Sequence, residues 1–466
     1  MSGPETKDAP PTTTLCVSIV GFGMIGRELF RQLQKQAPFF RAKLGVDVRV
    51  VAAGRSRGGV RTTATTANLL SLPDDRVAEL LLLENSGGAD LPTGVERFDQ
   101  GAYSSLGADS RRVADEAAAE SAAAAAAPTP TPVAVIVDAT ASDAPAELYA
   151  QWVEQGAHVV TANKRMGSGP LPRYRAFLEQ LAARAREDPK QRPPRFLYEA
   201  TVGAGLPVMS TLRALVETGD QVRSIEGVLS GTLSYIFSEF STADAAAAAA
   251  AAAGGGGEGA AAPAHTFSEI VARAKEQGFT EPDPRDDLSG TDVARKAVIL
   301  AREVGLDVEL ADVGPAGGAA AGGRGASSPP PLALVPDDLS TERGVTADQY
   351  MQRLPAALDD ALRERAIAAA GAGKVLRYAA RVDVSAAAAG AAAAGGGSRV
   401  TAGVSEFRAD HPFASLRGSE NLLVFTTERY PGGLVVKGPG AGAAVTAAGV
   451  LADVLRVARS AGRAAH

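Results

Sequence analysis

The sequence predicts an α/β protein with an N-terminal doubly wound parallel sheet, a second α+β domain, and a C-terminal helix that returns to the first domain. Three observations predict this. A short apolar run, Leu15 to Val20, leads through Gly21-Phe22-Gly23-Met24-Ile25-Gly26 into a helix-forming stretch, Arg27 to Gln36. Further strand-like runs alternate with helical stretches, as in a parallel sheet. Near the end, Leu434 to Val436 leads through Gly438-Pro439-Gly440-Ala441-Gly442 into a second such helix, Ala443 to Ala461.

The elements follow in order. After Leu15 to Val20, the run Val46 to Ala52 reads as a second buried strand. Val133 to Val137 is a third, ending at Asp138-Ala139-Thr140, and His158 to Thr161 a fourth, ending at Ala162-Asn163-Lys164. The second domain is expected to begin there. Arg195 to Tyr198 reads as its first strand, Pro207 to Glu217 as a helix and Ile225 to Leu229 as another strand. The expected boundaries are a disordered 1–14, a Rossmann-type domain 15–165, a catalytic and dimerisation domain 166–433, and a returning segment 434–466. Four Ala-, Gly- and Pro-rich stretches (116–132, 245–264, 314–331 and 385–397) are expected to be surface insertions, because such tracts bury little side-chain area against their ordering entropy.

Composition narrows the function classes. The 466 residues suffice for two cores, and with only 5% aromatics those cores must rest on Val, Leu and Ile. A net charge of −6 leaves no electrostatic footprint for nucleic acid. No apolar run approaches the roughly 20 residues of a bilayer span. A single cysteine, Cys16, forms no internal disulfide and suits a reducing compartment. The polar, acid-containing first residues resemble neither a secretory signal nor a transit peptide. A cytoplasmic location is expected, with a plastid or mitochondrion as the alternative.

The first glycine turn carries the first chemical signal. Gly21 permits the tight turn, Gly23 lets the backbone approach a pyrophosphate, and Gly26 lets helix and strand pack closely, with the helix N-terminus facing the phosphates. The second strand ends in Gly54-Arg55-Ser56-Arg57 rather than in an acidic residue. A carboxylate there would hold a ribose 2′-hydroxyl, whereas arginine accommodates a 2′-phosphate. NADP is therefore favoured over NAD, the competing reading being that Arg55 and Arg57 are solvated loop charges.

Two further stretches are dense in chemistry. Glu281-Pro282-Asp283-Pro284-Arg285-Asp286-Asp287 precedes a helix on which Asp292 and Lys296 lie one turn apart. The prolines are expected to hold the first part extended. Carboxylates suit a substrate amino group, and a carbonyl under reduction needs a nearby cation or acid. Glu199-Ala200-Thr201-Val202-Gly203-Ala204-Gly205-Leu206-Pro207 joins a carboxylate to accessible main-chain carbonyls, which suits a hard cation. Taken alone, it reads as a turn into a helix.

Together these residues resemble the homoserine dehydrogenase family, most of all its compact, monofunctional fungal-type members. Its most specific parts are Glu199 to Pro207, Ser230 to Ile236, Gly278 to Lys296 and Gly440 to Gly449. The resemblance implies an oxidoreductase that uses NADPH to reduce L-aspartate 4-semialdehyde to L-homoserine, working as a homodimer. It implies catalytic roles for Lys296, as proton donor, and Lys164, close to nicotinamide and substrate. Glu281 and Asp292 would bind the substrate amino group, Asp287 would support them, and Gly205 would lie beside the substrate. Cofactor contacts would come from Gly21, Phe22, Gly23, Met24, Ile25, Gly26, Arg55, Arg57, Thr140, Ser142, Lys164 and Gly442. A structural Na+ would be held by Glu199, Val202, Ala204 and Leu206. Ala141 stands where relatives often carry a polar residue. The insertion at 245–264 follows the Gly231-Thr232 segment, which the family uses in subunit pairing.

Two rivals are weighed. An aspartate-semialdehyde dehydrogenase needs a nucleophilic cysteine to form a thioester, and Cys16 lies on a strand expected to be buried. A catalytically silent NADP-binding regulator could dispense with Lys164, Lys296, Glu281, Asp287 and Asp292, yet all five are present.

Overall fold

A computed structural model describes residues 13–63, 68–82, 91–125, 131–187, 193–242, 263–316, 334–384 and 399–462. The chain forms two compact units, Met1–Gly205 with Gly442–His466, and Leu206–Ala441.

The first unit is built on a seven-stranded sheet. Its strands are β1 (Thr13–Val20), β2 (Val46–Arg55), β3 (Gly58–Thr62), β4 (Val95–Asp99), β5 (Thr131–Asp138), β6 (His158–Thr161) and β7 (Phe196–Leu197), in the order β4-β3-β2-β1-β5-β6-β7. The run from β2 to β7 is parallel, and β3 and β4 add an antiparallel edge. Every residue of β1 is buried, as its central place between β2 and β5 demands. Helices α1 (Met24–Phe39), α2 (Asp74–Leu82), α3 (Leu106–Ala125) and α4 (Leu171–Glu187) belong to this unit.

The second unit carries a six-stranded sheet of β8 (Val222–Val228), β9 (Gly314–Pro315), β10 (Lys374–Asp383), β11 (Val400–Arg408), β12 (Glu420–Thr427) and β13 (Leu434–Pro439), in the order β13-β12-β8-β10-β11-β9. It is antiparallel except for β9, which lies parallel to β11. Among the described residues, its helices of eight residues or more are α5 (Val208–Glu217), α6 (Gly231–Phe240), α7 (Phe267–Glu276), α8 (Thr291–Glu303), α9 (Ala347–Leu354) and α10 (Asp360–Gly371). Helices α6, α8 and α10 pack on β10.

The last helix, α11 (Ala443–Gly462), belongs to the first unit. Ala447, Val450, Val454, Val457, Ala458 and Ala461 recur at helical spacing and join the core that contains Val17, Leu29, Leu33 and Val135.

Several expectations are corrected. Thr13 and Thr14, expected to belong to a disordered 1–14, are buried and begin β1, and only residues 1–12 of that stretch lie outside the described residues. The run at Arg195 to Tyr198 does not open the second domain, because Phe196–Leu197 pairs in parallel with β6 and extends the first sheet. The division therefore falls after Gly205 rather than after residue 165. At the far end, β13 pairs with β12, so the return to the first unit begins at Gly442 and not at residue 434. Most of the stretch 116–132 is regular structure. Residues 116–125 continue α3, where alanine loses no side-chain entropy, and Ala117 and Ala118 are small enough to be buried in its packing. Residues 131–132 begin β5, and only 126–130 lie outside the described residues. Gly314–Pro315 likewise forms β9. Residues 245–262, 317–331 and 385–397 of the other expected insertions lie outside the described residues.

Candidate active site

The strand order β2-β1-β5-β6 reverses its direction of growth at β1 and β5. In open α/β sheets ligands bind outside the carboxyl ends of the strands at such a switch point. The glycine turn sits there. Gly21 and Phe22 donate their N–H groups to the Gly54 carbonyl at 3.0 and 2.9 Å, which anchors the turn to the end of β2. Gly21 adopts φ +92°, and a Cβ there would lie 2.6 Å from Thr140 Cγ2. A Cβ on Gly26 would lie 2.2 Å from the Gly21 carbonyl oxygen, whereas one on Gly23 would meet nothing within 4 Å. Gly23 caps α1 without any side-chain acceptor, and the first turn holds no acidic residue. The N-terminal N–H groups of α1 are thus offered to an anion. Met24 is 82% exposed at the same mouth.

Arg55 ends β2, and its Nε donates to the Phe22 carbonyl at 3.3 Å, so its guanidinium lies against the glycine turn. Tyr103 fixes this corner by donating its hydroxyl to the Arg55 carbonyl at 2.6 Å. Arg57 is exposed.

The ends of β5 and β6 are joined by a buried polar network. The Asp138 carboxylate accepts from the Thr140 N–H (2.8 Å), the Tyr149 hydroxyl (2.7 Å) and Asn163 Nδ2 (2.9 Å). Burial raises the Asp138 pKa, and its hydrogen bonds oppose the rise. Asn163 Nδ2 also reaches the Ser142 carbonyl at 2.8 Å. Lys164 follows directly, and its carbonyl accepts from the Ser168 N–H at 2.8 Å. Arg165 donates to the Ala141 carbonyl at 3.1 Å, so the main chain at 141 makes a bond that does not depend on its side chain.

The turn after β7 is clamped by α11. Asp453 Oδ2 accepts the Glu199 N–H at 2.8 Å, and Arg456 Nη1 donates to both Glu199 Oε2 (2.8 Å) and Asp453 Oδ1 (2.6 Å). A Cβ on Gly205 would lie 2.3 Å from the Val445 carbonyl oxygen, so turn and helix touch backbone to backbone. Ala204 has φ +55°, the one non-glycine residue at positive φ among the described residues. Such a conformation is held only where the surroundings impose it. Leu206 opens the second unit, and its carbonyl accepts from the Val208 N–H at 2.8 Å. Gly442 directly precedes α11, its carbonyl accepting the Thr446 N–H at 3.0 Å, and Gln32 of α1 ties that start by donating to the Ala444 carbonyl at 2.9 Å. No three His, Cys, Asp or Glu side chains converge on a metal position among the described residues. A cation at Glu199 would therefore depend on main-chain carbonyls, a hard-oxygen set of the kind Na+ accepts, with Arg456 already at one carboxylate oxygen.

In the second unit the Glu281–Lys296 stretch carries three bonded clusters, around Asp287, Arg285 and Lys296. Asp287 accepts the Glu281 N–H at 2.8 Å and the Thr232 hydroxyl at 2.9 Å. Burial raises the Asp287 pKa, and those same bonds hold it back. The stretch is not extended as its prolines suggest. Pro284 lies in the right-handed helical region, Asp283 caps the Arg285 N–H, and Arg285–Leu288 makes a helical turn. Arg285, nearly fully buried, binds Asp283 and the carbonyls of Leu339 and Val345. On α8 the Lys296 ammonium lies 2.8 Å from Asp292 Oδ2 and donates to the Leu229 carbonyl at 2.6 Å. The Lys296 side chain is 10% exposed and that of Asp292 50%. A buried ammonium beside an open carboxylate is suited to a small polar substrate arriving from the Asp292 side.

Sequence reasoning had given no role to Asp138, Tyr149, Asp453 or Arg456, and it placed Thr232 only in a pairing segment rather than beside Asp287. The one available signal was Asp138 itself, an acid closing an apolar strand.

The family model for homoserine dehydrogenase matches residues 207–455, and the model for the homoserine dehydrogenase NAD-binding domain matches 101–188. The chain belongs to the homoserine dehydrogenase family. The homoserine dehydrogenase of Saccharomyces cerevisiae is 39% identical over 324 residues, which cover 69% of this chain and 75% of that one. A bifunctional chloroplastic aspartokinase/homoserine dehydrogenase of Zea mays is 39% identical over 96% of this chain. The chain spans 38% of the length of that relative. Among solved structures, a Candida auris protein of unknown function has a TM-score of 0.68 at 31% identity, with 96% of this chain and 98% of that one covered. A hyperthermophilic archaeal homoserine dehydrogenase in complex with NADPH has a TM-score of 0.57 at 18% identity, covering 96% and 98%, and shares the fold.

The thioester rival fails within the family and on the geometry alike. Cys16 is fully buried on β1, and desolvation pushes its thiol pKa up to about 12, which removes the thiolate such chemistry requires. Among the described residues no helix is long and apolar enough to cross a membrane.

Proposed function

We propose that this homoserine dehydrogenase family member reduces L-aspartate 4-semialdehyde to L-homoserine with NADPH, in the branch leading to threonine, methionine and isoleucine. The observation that carries the reading is the Lys296 ammonium, buried and held by Asp292 and the Leu229 carbonyl. As the aldehyde carbon accepts a hydride, negative charge develops on its oxygen. An ammonium fixed beside that oxygen stabilises the charge and donates the proton. Glu281 and Asp292 bind the substrate amino group, and Asp287 holds Glu281 through its N–H. Lys164 serves at the nicotinamide end and Gly205 lies beside the substrate.

NADPH, when bound, supplies the hydride. The glycine turn and the open N-terminus of α1 bind its pyrophosphate, and Thr140, Ser142 and Gly442 add contacts. Arg55 and Arg57 favour the 2′-phosphate of NADP over NAD. Na+ is held by Glu199 and the carbonyls of Val202, Ala204 and Leu206, and the chain works as a homodimer. Initial rates with NADPH and NADH, each in NaCl and in choline chloride, test these assignments. Equal rates with both cofactors would remove the NADP preference, and equal rates in both salts would remove the role for Na+.

A further inference from the structure

We propose that Asp138 is a positioning residue for the reacting end of the crevice, acting through Asn163 to hold the Lys164 backbone against the Thr140–Ser142 loop. The inference rests on the cofactor site proposed above and adds residues with no role assigned so far.

The hydrogen bonds make the case. Asp138 is 0% exposed and stands at the carboxyl end of β5, beside β1 and β6. One carboxylate oxygen takes the Thr140 N–H and the other takes Tyr149 and Asn163 together. Asn163 extends the link in two directions. Its Nδ2 lies 2.8 Å from the Ser142 carbonyl and 3.1 Å from Thr140 Oγ1, while its Oδ1 accepts the Arg165 N–H at 2.9 Å. Lys164 is therefore flanked by two residues that the amide of Asn163 fixes.

The chemistry of the anchor points the same way. A buried carboxylate is costly to desolvate, and a mere fold pin is served more cheaply by an amide or a hydroxyl. Only a carboxylate accepts from all three donors without presenting an N–H of its own. At Oδ2, an asparagine nitrogen would meet Asn163 Nδ2 donor to donor. Loss of this anchor frees the turn carrying Lys164, and a misplacement of about 1 Å costs on the order of 100-fold in rate.

Asp138→Asn and Asn163→Ala test the proposal, with Ser110→Ala as a structural control that breaks the buried Ser18–Ser110 bond (2.7 Å). NADPH-binding sites are counted by titration, and kcat per site, KM for both substrates and melting temperature are measured. The expected result is a fall in kcat per site of about 10- to 100-fold in both variants. The Asp138→Asn, Asn163→Ala double variant should fall little further, because the two residues act through one link. Ser110→Ala should lower the melting temperature and keep kcat. If Asp138→Asn does not fold, Asn163→Ala decides alone. A lowered melting temperature with unchanged kcat per site in Asn163→Ala overturns the proposal. A wild-type protein without turnover would overturn the functional reading beneath it, a result seen before any variant is compared.

Discussion

Lys296 and Asp292 lie one turn apart on α8, with the ammonium 2.8 Å from the carboxylate. The lysine is buried and the aspartate half exposed, so the aspartate is the member of the pair a substrate reaches first. Asp292→Asn keeps the shape and removes the charge that steadies the ammonium and binds the amino group. We expect kcat/KM for the semialdehyde to fall by about 10- to 100-fold, the range for losing a charge-assisted contact of about 1.5–3 kcal/mol. NADPH affinity, measured by fluorescence titration, should stay within about twofold. A matching loss of NADPH affinity would assign Asp292 elsewhere.

The glycine turn separates packing from binding. Gly26→Ala would push a methyl into the Gly21 carbonyl, so it should lower the melting temperature and NADPH affinity together. Gly23→Ala meets no protein atom within 4 Å. It should leave the melting temperature of the free protein nearly unchanged and still raise the KM for NADPH, because only the bound pyrophosphate occupies that space. Wild-type KM in Gly23→Ala would show that the turn does not cradle phosphate.

Arg55 lies against Phe22 of the turn, and Arg57 is exposed two residues on. Replacing both with alanine should weaken NADPH and leave NADH nearly as it was. The ratio of kcat/KM for the two cofactors then moves toward NADH by on the order of tenfold or more, the scale of losing charge-assisted hydrogen bonds. An unchanged ratio would place the specificity elsewhere.

His158 gives a pH prediction for stability. It is buried at the start of β6, where its Nδ1 accepts the Arg195 N–H, and burial pushes its pKa down to about 3, aided by Arg195 and Arg111. Below about pH 6.5 the unfolded chain takes up a proton that the folded chain refuses. The neutral ring therefore costs nothing above that pH, and stability falls as the pH drops from about 6.5 toward 3. Between pH 7 and pH 5 this one group removes about 2 kcal/mol. His158→Asn should flatten the fall, as read from urea midpoints at the two pH values. Parallel declines for wild type and variant would contradict the assignment.

Local signals explain what could be foreseen. The run Leu15 to Val20, the glycine turn and α1 are contiguous, and each carries its own pattern, so they were legible together. So were Asp292 and Lys296, whose spacing puts them on one helix face. The antiparallel edge of β3 and β4 was not legible. Both strands are short, β3 opens on two glycines and β4 is rich in charge (Glu96, Arg97 and Asp99), and their pairing spans a long stretch of chain. The α3 alanines were misread because tract composition hides which of them face a core. Phe196–Leu197 looked like a new domain because a strand of two residues does not announce its neighbour. Asp138 and Asn163 stand in different motifs, and only burial and the parallel pairing of β5 and β6 bring them to 2.9 Å. Likewise, nothing local linked Glu199 to Asp453 and Arg456.

The most direct test is the loss of NADPH absorbance with L-aspartate 4-semialdehyde, comparing wild type with Lys296→Ala after NADPH titration of both. We expect turnover in the wild type, product identified as homoserine, and a fall of about 100-fold or more in Lys296→Ala with NADPH still bound. Wild-type turnover that survives in Lys296→Ala would contradict the assigned proton donor, and NADPH binding without any wild-type turnover would contradict the reaction itself.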